Sequence, residues 1–144
     1  MNNKNKFTIK GKYRIRNAET GAILFETKNL VVNTGLNLTL TQLAGTTSTP
    51  ITHLAVGTSN LAVTESDTTL NTELYRKSVT ISVENNILTA SATFGLAEAN
   101  DSWYELGMLT ASSGGVMFSH ANIVFQKLSD VAVTVEYIST LTNN

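Results

Sequence analysis

The chain has 144 residues, a formal net charge of −1 and no cysteine, and its length fits one domain with one hydrophobic core. The lack of cysteine excludes a disulfide framework, a thiolate nucleophile and a Cys-ligated zinc site. No apolar run approaches the roughly 20 residues of a membrane-spanning helix, and the basic N-terminus lacks the apolar centre of a secretory signal. We therefore expect a single domain over residues 1–144, made in a cytosol and without a membrane partner.

The first predicted element is a strand over residues 6–16 whose two faces differ in charge. Odd positions such as Phe7, Ile9 and Tyr13 are apolar, and a strand places alternate residues on opposite faces. The other face is basic. Its members, which we call the basic stripe, are Lys4, Lys6, Lys10, Lys12, Arg14 and Arg16.

The basic stripe holds six of the ten basic residues, whereas residues 17–144 carry four basic and eleven acidic residues, a balance of −7. Such a stripe either protects an edge strand from unwanted pairing or forms an assembly interface with an acidic surface, such as another copy of the chain or a larger assembly. Nucleic acid is the less favoured partner, because no aromatic residues interleave with the basic ones and the sequence pI is about 6.1.

A short helix is predicted over residues 34–44, where the pattern changes from strand to helical spacing. Asn33 or Thr34 can cap its start and Gly45 can end it. The leucines at i, i+4 and i+7, which share one face of this helix, are Leu36, Leu40 and Leu43.

The rest of the chain has the apolar and β-branched composition of strands, separated by turn residues. The further predicted strands cover residues 23–32, 51–57, 75–84, 87–95, 103–110, 116–125 and 131–139. Asn85-Asn86 suits a tight hairpin turn, because asparagine tolerates positive φ. About eight strands and one short helix favour a mainly β fold, a single-domain antiparallel β-sandwich of jelly-roll or immunoglobulin-like type.

Residues 53–76 hold the only dense group of side chains that could serve catalysis or metal binding. The candidates are Glu65, Asp67, Glu73 and Arg76. Their spacing does not match a calcium-binding loop, and the single glycine of "AVGTSN" does not make a phosphate-binding loop. No nucleophile motif surrounds His53 or His120. We therefore predict no catalytic site, no bound metal and no cofactor, and we assign both histidines to structural or surface roles.

A structural explanation suits these side chains better. Asp67 can accept N–H groups at the start of a short helical turn, and Glu73 can reach Arg76 at spacing i, i+3 if that turn is helical. Asp67 and Glu73 are therefore predicted to fasten the long loop after residue 57, which would otherwise be costly to order.

One further acid, Glu105, lies between Tyr104 and Leu106 in a largely apolar predicted strand. A carboxylate in such a strand is partly buried and needs a cation. Among the few basic residues outside the basic stripe we choose Arg76, because its planar guanidinium suits a carboxylate. We predict an Arg76–Glu105 ion pair that ties the loop to the sheet; in the alternative, Glu105 points to solvent.

Five segments, taken in order, resemble small structural proteins of tailed bacteriophages, of the tail-fibre, baseplate or head-decoration type. The segments are "NLVVNTGLNLTLTQLAG", "ITHLAVGTSN", "TESDTTLNTELYRKSV", "ATFGLAEAN" and "WYELGMLTASSGGVMFSHA". The resemblance covers residues 29–125 and implies a β-rich virion component that works by assembly. The matching positions, which the resemblance makes scaffold residues, are Gly35, Gly57, Asp67, Leu70, Glu73, Arg76, Glu105 and Gly107.

The resemblance implies a non-enzymatic virion protein that self-associates, as a trimer, and docks onto the tail, collar or head. The chain is short for a full-length fibre, which needs a shaft or a separate tip domain. A head-decoration protein that stabilises the capsid is the first alternative. The second is a glycan- or host-surface-binding module, in which Trp103 and Tyr104 form a stacking platform for a ligand; in the opposing interpretation Trp103 belongs to the core.

Overall fold

A computed structural model describes residues 7–143, which form ten strands and one helix. In chain order these elements are β1 (Phe7–Asn17), β2 (Ile23–Lys28), β3 (Leu30–Val31), α1 (Asn33–Leu43), β4 (His53–Gly57), β5 (Glu73–Ser78), β6 (Thr80–Glu84), β7 (Ile87–Phe94), β8 (Asp101–Leu109), β9 (Met117–Lys127) and β10 (Val133–Asn143). The strands make two antiparallel five-stranded sheets. The first sheet has the order β2-β1-β10-β7-β6, and the second has the order β3-β9-β8-β4-β5.

The mainly β fold with two antiparallel sheets and one helix is confirmed, but the described residues hold ten strands where about eight were predicted. Two of the predicted strands are each divided between the sheets. The run over 23–32 breaks at Asn29 into β2 of the first sheet and β3 of the second, and the run over 75–84 breaks at Val79 into β5 and β6. Strand-forming composition alone does not show where a strand changes its neighbours.

The two sheets enclose one main core. Tyr13 of β1 and Tyr137 of β10, both buried, come from the first sheet, and Trp103 of β8 comes from the second. The hydroxyl of Tyr13 lies 2.7 Å from the hydroxyl of Ser119 on β9, so a buried hydrogen bond also joins the sheets. Burying each large apolar side chain contributes about 1.5–3 kcal/mol to folding.

β1 is an inner strand of the first sheet. It pairs with β10 from Phe7 to Asn17 and with β2 from Lys12 to Arg16. The prediction that these residues protect an edge strand is therefore wrong for Lys12, Arg14 and Arg16, which lie where β1 pairs on both sides. Lys10 lies before the pairing with β2 begins, and for it the prediction stays untested.

The helix lies within one residue of its predicted bounds, but its apolar stripe faces outward. Gly35 and Leu38 are the buried residues of α1, whereas Leu36, Leu40 and Leu43 are exposed. No side chain caps its start. Within residues 7–143, no helix is long and apolar enough to cross a membrane.

The predicted hairpin turn between β6 and β7 is confirmed. Asn85 and Asn86 both have positive φ, 51° and 66°, as a two-residue turn of this kind requires. Asparagine adopts this conformation more readily than most residues, so the local sequence fixes the register of the β6–β7 hairpin.

Candidate functional site

The loop between β4 and β5, residues 58–72, lies against the outer face of the second sheet, and we call it the strap. Leu70 of the strap is buried in a small apolar cluster, separate from the main core, together with Ala55, Leu109 and Met117. The backbone N–H of Thr58 donates to the carbonyl of Thr72 at 2.9 Å and closes the base of the loop. Polar side chains of β8 and β9 bind the remaining residues of the strap.

Glu105 on β8 is fully buried beneath the strap. Its Oε1 accepts the backbone N–H of Asn71 at 2.9 Å, and its Oε2 accepts that of Thr72 at 2.8 Å and, more weakly, that of Ser59 at 3.4 Å. The carboxylate therefore binds both ends of the strap. These bonds replace the water that a buried carboxylate loses.

His120 on β9 joins Glu105 to the middle of the strap. Its Nε2 lies 2.8 Å from Oε1 of Glu105, and its Nδ1 lies 2.8 Å from Oδ2 of Asp67. Each ring nitrogen of His120 therefore contacts a carboxyl group, and the ring links β9 both to β8 and to the strap. Glu105 and His120 are buried, whereas the Asp67 side chain is 18% exposed.

Asp67 forms the strap end of this cluster. Its carboxylate accepts the backbone N–H and the hydroxyl of Thr64, both at 2.8 Å, in addition to His120. Burial raises the pKa of Asp67, but the hydrogen bonds from Thr64 and His120 outweigh it and hold the pKa of this carboxyl below its ordinary value. Asp67 is therefore suited to stay ionised.

Two asparagines fix the remainder of the strap. Asn122 on β9 accepts the N–H of Val63 at 2.9 Å and donates to the carbonyl of Leu61 at 2.8 Å. The N–H of Asn33, at the start of α1, donates to the carbonyl of Glu65 at 2.7 Å. The strap is thus bonded to the rest of the molecule at several points along its length, mostly through its backbone and also through the side chain of Asp67.

Strand register explains why these residues meet. Glu105 pairs with Asn122 and Gly107 pairs with His120, so Glu105 and His120 are diagonal neighbours on one face of the β8–β9 hairpin. On the other side Glu105 pairs with Gly57 of β4. A Cβ at Gly57 would lie 2.5 Å from Oε2 of Glu105, so a glycine here leaves room for the carboxylate.

The geometry of the cluster suits holding the strap, and it leaves His120 no free nitrogen. In a serine-hydrolase triad one imidazole nitrogen faces a carboxylate and the other faces the nucleophilic hydroxyl, whereas both nitrogens of His120 face carboxylates. Asp67 and Glu105 lie at opposite nitrogens of the ring and so do not converge on one point. Among residues 7–143, no group of three or more His, Cys, Asp or Glu side chains is arranged to hold a metal ion.

The predicted Arg76–Glu105 ion pair is wrong. Arg76 instead forms a two-point ion pair with Glu73, at 3.0 and 2.6 Å, and donates to the carbonyls of Ala111 and Gly114, each at 2.8 Å. The reason lies in the strand order, because β4 separates β5, which carries Arg76, from β8, which carries Glu105. β9 is adjacent to β8, so its histidine, rather than Arg76, contacts Glu105.

Asp67 and Glu73 do fasten this region, but not in the predicted way. Asp67 bonds to the preceding Thr64 and to His120 and caps no helical turn. The Glu73–Arg76 pair forms at the predicted spacing, although Glu73–Ser78 is the strand β5.

The basic stripe is partly neutralised by neighbouring strands. Lys12 and Arg14 both bond to Glu26 of β2, and Arg16 pairs with Glu136 of β10. Lys10 also lies on β1. Lys4 and Lys6 fall outside the residues that the structure describes. The role of the stripe as an assembly interface stays a prediction.

Trp103 cannot form the stacking platform of the glycan-binding alternative. Its side chain is fully buried, with ring centroids 5.3 Å from Phe94 and 5.5 Å from Phe125, and its indole N–H donates to the carbonyl of Ala99 at 2.8 Å. A stacking platform needs an exposed ring face. Tyr104, half-buried, therefore lacks its expected partner.

A second charged cluster lies at the connection between β7 and β8. Glu98 accepts the N–H of Gly95 at 2.8 Å and the hydroxyl of Tyr75 at 2.7 Å, and it forms an ion pair with Lys77. The Lys77 ammonium, followed by the other two donors, lowers the pKa of Glu98 to about 2. Nearby, Lys127 is buried, and this burial lowers its pKa.

We expect Glu98→Gln to lower the stability of the protein at neutral pH and to do so less and less in acid. The pKa of Glu98 is about 2 in the folded chain against an ordinary 4.5, so its stabilisation is complete above the ordinary value and is lost as the pH falls towards 2. Urea unfolding of both proteins at pH 7, 4 and 2 measures the difference. Glu84→Gln on β6 controls for the loss of one charge, and a deficit of Glu98→Gln that stays constant from pH 7 to 2 would contradict the assignment.

The chain matches no protein-family model, no curated protein and no solved structure at a significant level.

Proposed function

We propose that this chain is a non-enzymatic structural component of a tailed-bacteriophage particle, which assembles by self-association and by docking onto the tail, collar or head. The observation that carries the proposal is the use of the buried charges. Glu105 and His120, with Asp67, hold a surface loop in one conformation. A protein that works through the shape of its surface needs such loops fixed, whereas a catalytic histidine needs a free nitrogen.

The sequence resemblance supports the same proposal. Four of its five segments build β3 and α1, β4, the strap with β5, and the β8–β9 hairpin, all of which belong to or lie against the second sheet. The resemblance therefore concerns one continuous side of the molecule. Its assignment to phage particles, with further copies and other virion proteins as partners, is part of the proposal, as is assembly in the bacterial cytoplasm.

We infer further that the sandwich is of the jelly-roll or immunoglobulin-like type. The support is that successive strand pairs, β1–β2, β4–β5, β6–β7 and β8–β9, alternate between the two sheets. In both types, strands leave one sheet and return in the other. The loops at the ends of such a sandwich are free to contact neighbours.

Quantitative mass spectrometry of purified particles tests the proposed function. The expected result is a fixed copy number per particle. Hundreds of copies would identify a head-decoration protein, and roughly three to a few tens, as the closed symmetry of such parts implies, would identify a tail, collar or baseplate part. Absence from purified particles would overturn the proposal.

A further inference from the structure

The helix α1 carries an apolar ridge that the described part of the chain leaves uncovered. Leu36, Leu40 and Leu43 are 47%, 57% and 81% exposed. A surface helix normally turns such a stripe towards the core. Spacings of four and three residues between leucines are those of a helix seam that packs against another surface.

An apolar groove of about 480 Å³ lies beside this ridge. One wall is formed by Leu38, Thr39 and Gln42 of α1. The opposite wall includes Ile81 and Val83 of the edge strand β6, and Val83 is 70% exposed. Thr39 lines the groove and is three residues from Leu36 and four from Leu43, so at 3.6 residues per turn it lies directly beside the ridge. Ridge and groove are therefore side by side on one face of the molecule.

The absence of charge on α1 and in the groove indicates the partner of this face. Residues 29–64, which include α1, contain no Asp, Glu, Lys or Arg, and no charged residue lines the groove. A partner that brought a charge into the groove would bury it without a counter-ion, which is costly. The ridge of a second copy brings leucines alone. Because ridge and groove are adjacent, a two-fold axis between two copies seats each ridge in the other groove.

We propose that two copies of this chain associate through this face, with Leu40 and Leu43 of each copy seated in the Ile81–Val83 groove of the other. The proposal rests on the proposed function for the expectation that copies of the chain meet, and it names the surface through which they do. The sequence resemblance implied a trimer, and this inference proposes a two-fold dimer instead.

Sedimentation velocity of the full chain tests the association. We expect a dimer for the wild type and a monomer for the double variant Leu40→Lys/Leu43→Lys, with the dimer dissociation constant raised at least about 100-fold. Leu96→Lys/Leu128→Lys is the matched control, because these leucines are 54% and 52% exposed and lie outside the ridge and groove; it should remain a dimer. A monomeric or trimeric wild type, or a dimeric Leu40→Lys/Leu43→Lys variant, would overturn the proposal.

Cysteine trapping tests the arrangement directly, because the chain has no cysteine of its own. A mixture of Leu43→Cys and Val83→Cys copies should oxidise mainly to the mixed disulfide dimer, since ridge meets groove only between copies. Predominance of the Leu43→Cys homodimer would overturn the ridge-in-groove contact. A monomer in solution that is nevertheless abundant in particles would overturn this inference alone, whereas a dimer absent from particles would overturn the proposed function alone.

Discussion

Replacing Glu105 with alanine is expected to lower the free energy of unfolding by about 3–5 kcal/mol, the usual cost of removing one partner of a buried ion pair. The variant leaves the ring of His120 with Asp67 as its one remaining carboxyl partner. It also removes the acceptor of the backbone N–H groups of Asn71 and Thr72, so the strap loses two hydrogen bonds to the sheet. Urea unfolding at pH 7, followed by tryptophan fluorescence of the buried Trp103, measures the loss.

Two further variants make the Glu105 result specific. Glu105→Gln keeps one acceptor oxygen but lacks the charge and presents an NH₂ group to other donors, so its loss should lie between those of wild type and Glu105→Ala. Glu65→Ala, an exposed position in the same strap, should change stability by less than about 0.5 kcal/mol. A loss below about 1 kcal/mol for Glu105→Ala would show that the cluster does not hold the strap.

Amide hydrogen exchange separates loss of the strap from general weakening. In the wild type the N–H groups of Asn71 and Thr72 donate to a fully buried carboxylate, so they should exchange slowly for loop residues. In Glu105→Ala both should approach the exchange rates of unprotected amides, while the N–H groups of β10 should lose only the protection that corresponds to the fall in global stability. Equal acceleration in strap and β10 would point to a purely global effect.

The predictable parts of this fold are those that depend on neighbours in sequence. The alternation around Tyr13 correctly predicted the core face of β1, because a strand must place every second residue on one side. The Asn85-Asn86 turn and the position of α1 were also predictable, since both depend on backbone preferences within a few residues.

The candidate site depends on register, which local pattern does not reveal. Leu109 pairs with Met117, but Met108 pairs with Ser119, so one extra residue, Phe118, is inserted near the β8–β9 turn. A bulge of this kind shifts every later pair by one and exchanges the two faces of the strand. Counting back from the turn without the bulge places His120 on the face opposite to Glu105, so the local pattern does not indicate that the two side chains meet.

The wrong Arg76–Glu105 pair and the outward-facing leucines of α1 have a related origin. Choosing Arg76 for Glu105 required the strand order, and β4 between β5 and β8 was not foreseeable from composition. The leucine pattern of α1 correctly indicated a helix, yet an apolar stripe has the same periodicity whether the core or another molecule covers it. Local sequence patterns thus predict backbone conformation, but they do not predict which side chains and surfaces contact one another.

Gly35→Ala is expected to destabilise the protein by about 2 kcal/mol, although helix propensity alone favours alanine over glycine by up to about 1 kcal/mol. Gly35 is buried in α1 where the helix crosses β9, and a Cβ there would overlap the backbone carbonyl of Phe118. A backbone group in a paired strand cannot rotate away as a side chain can, so α1 must shift off the sheet. Thermal and urea unfolding of the two proteins measure the change.

The sign of the effect, rather than its size, decides between packing and propensity at Gly35. Asn37→Ala is the matched control, because Asn37 is exposed on the same helix and should gain about 0.5 kcal/mol from propensity alone. If both variants were stabilised, α1 would not be held close to Phe118 and the helix would be free to move. Destabilisation of Gly35→Ala with stabilisation of Asn37→Ala means that β9 fixes the position of α1. The ridge and groove proposed to join two copies are then rigid surfaces, formed before the partner arrives, and association would not have to order the helix.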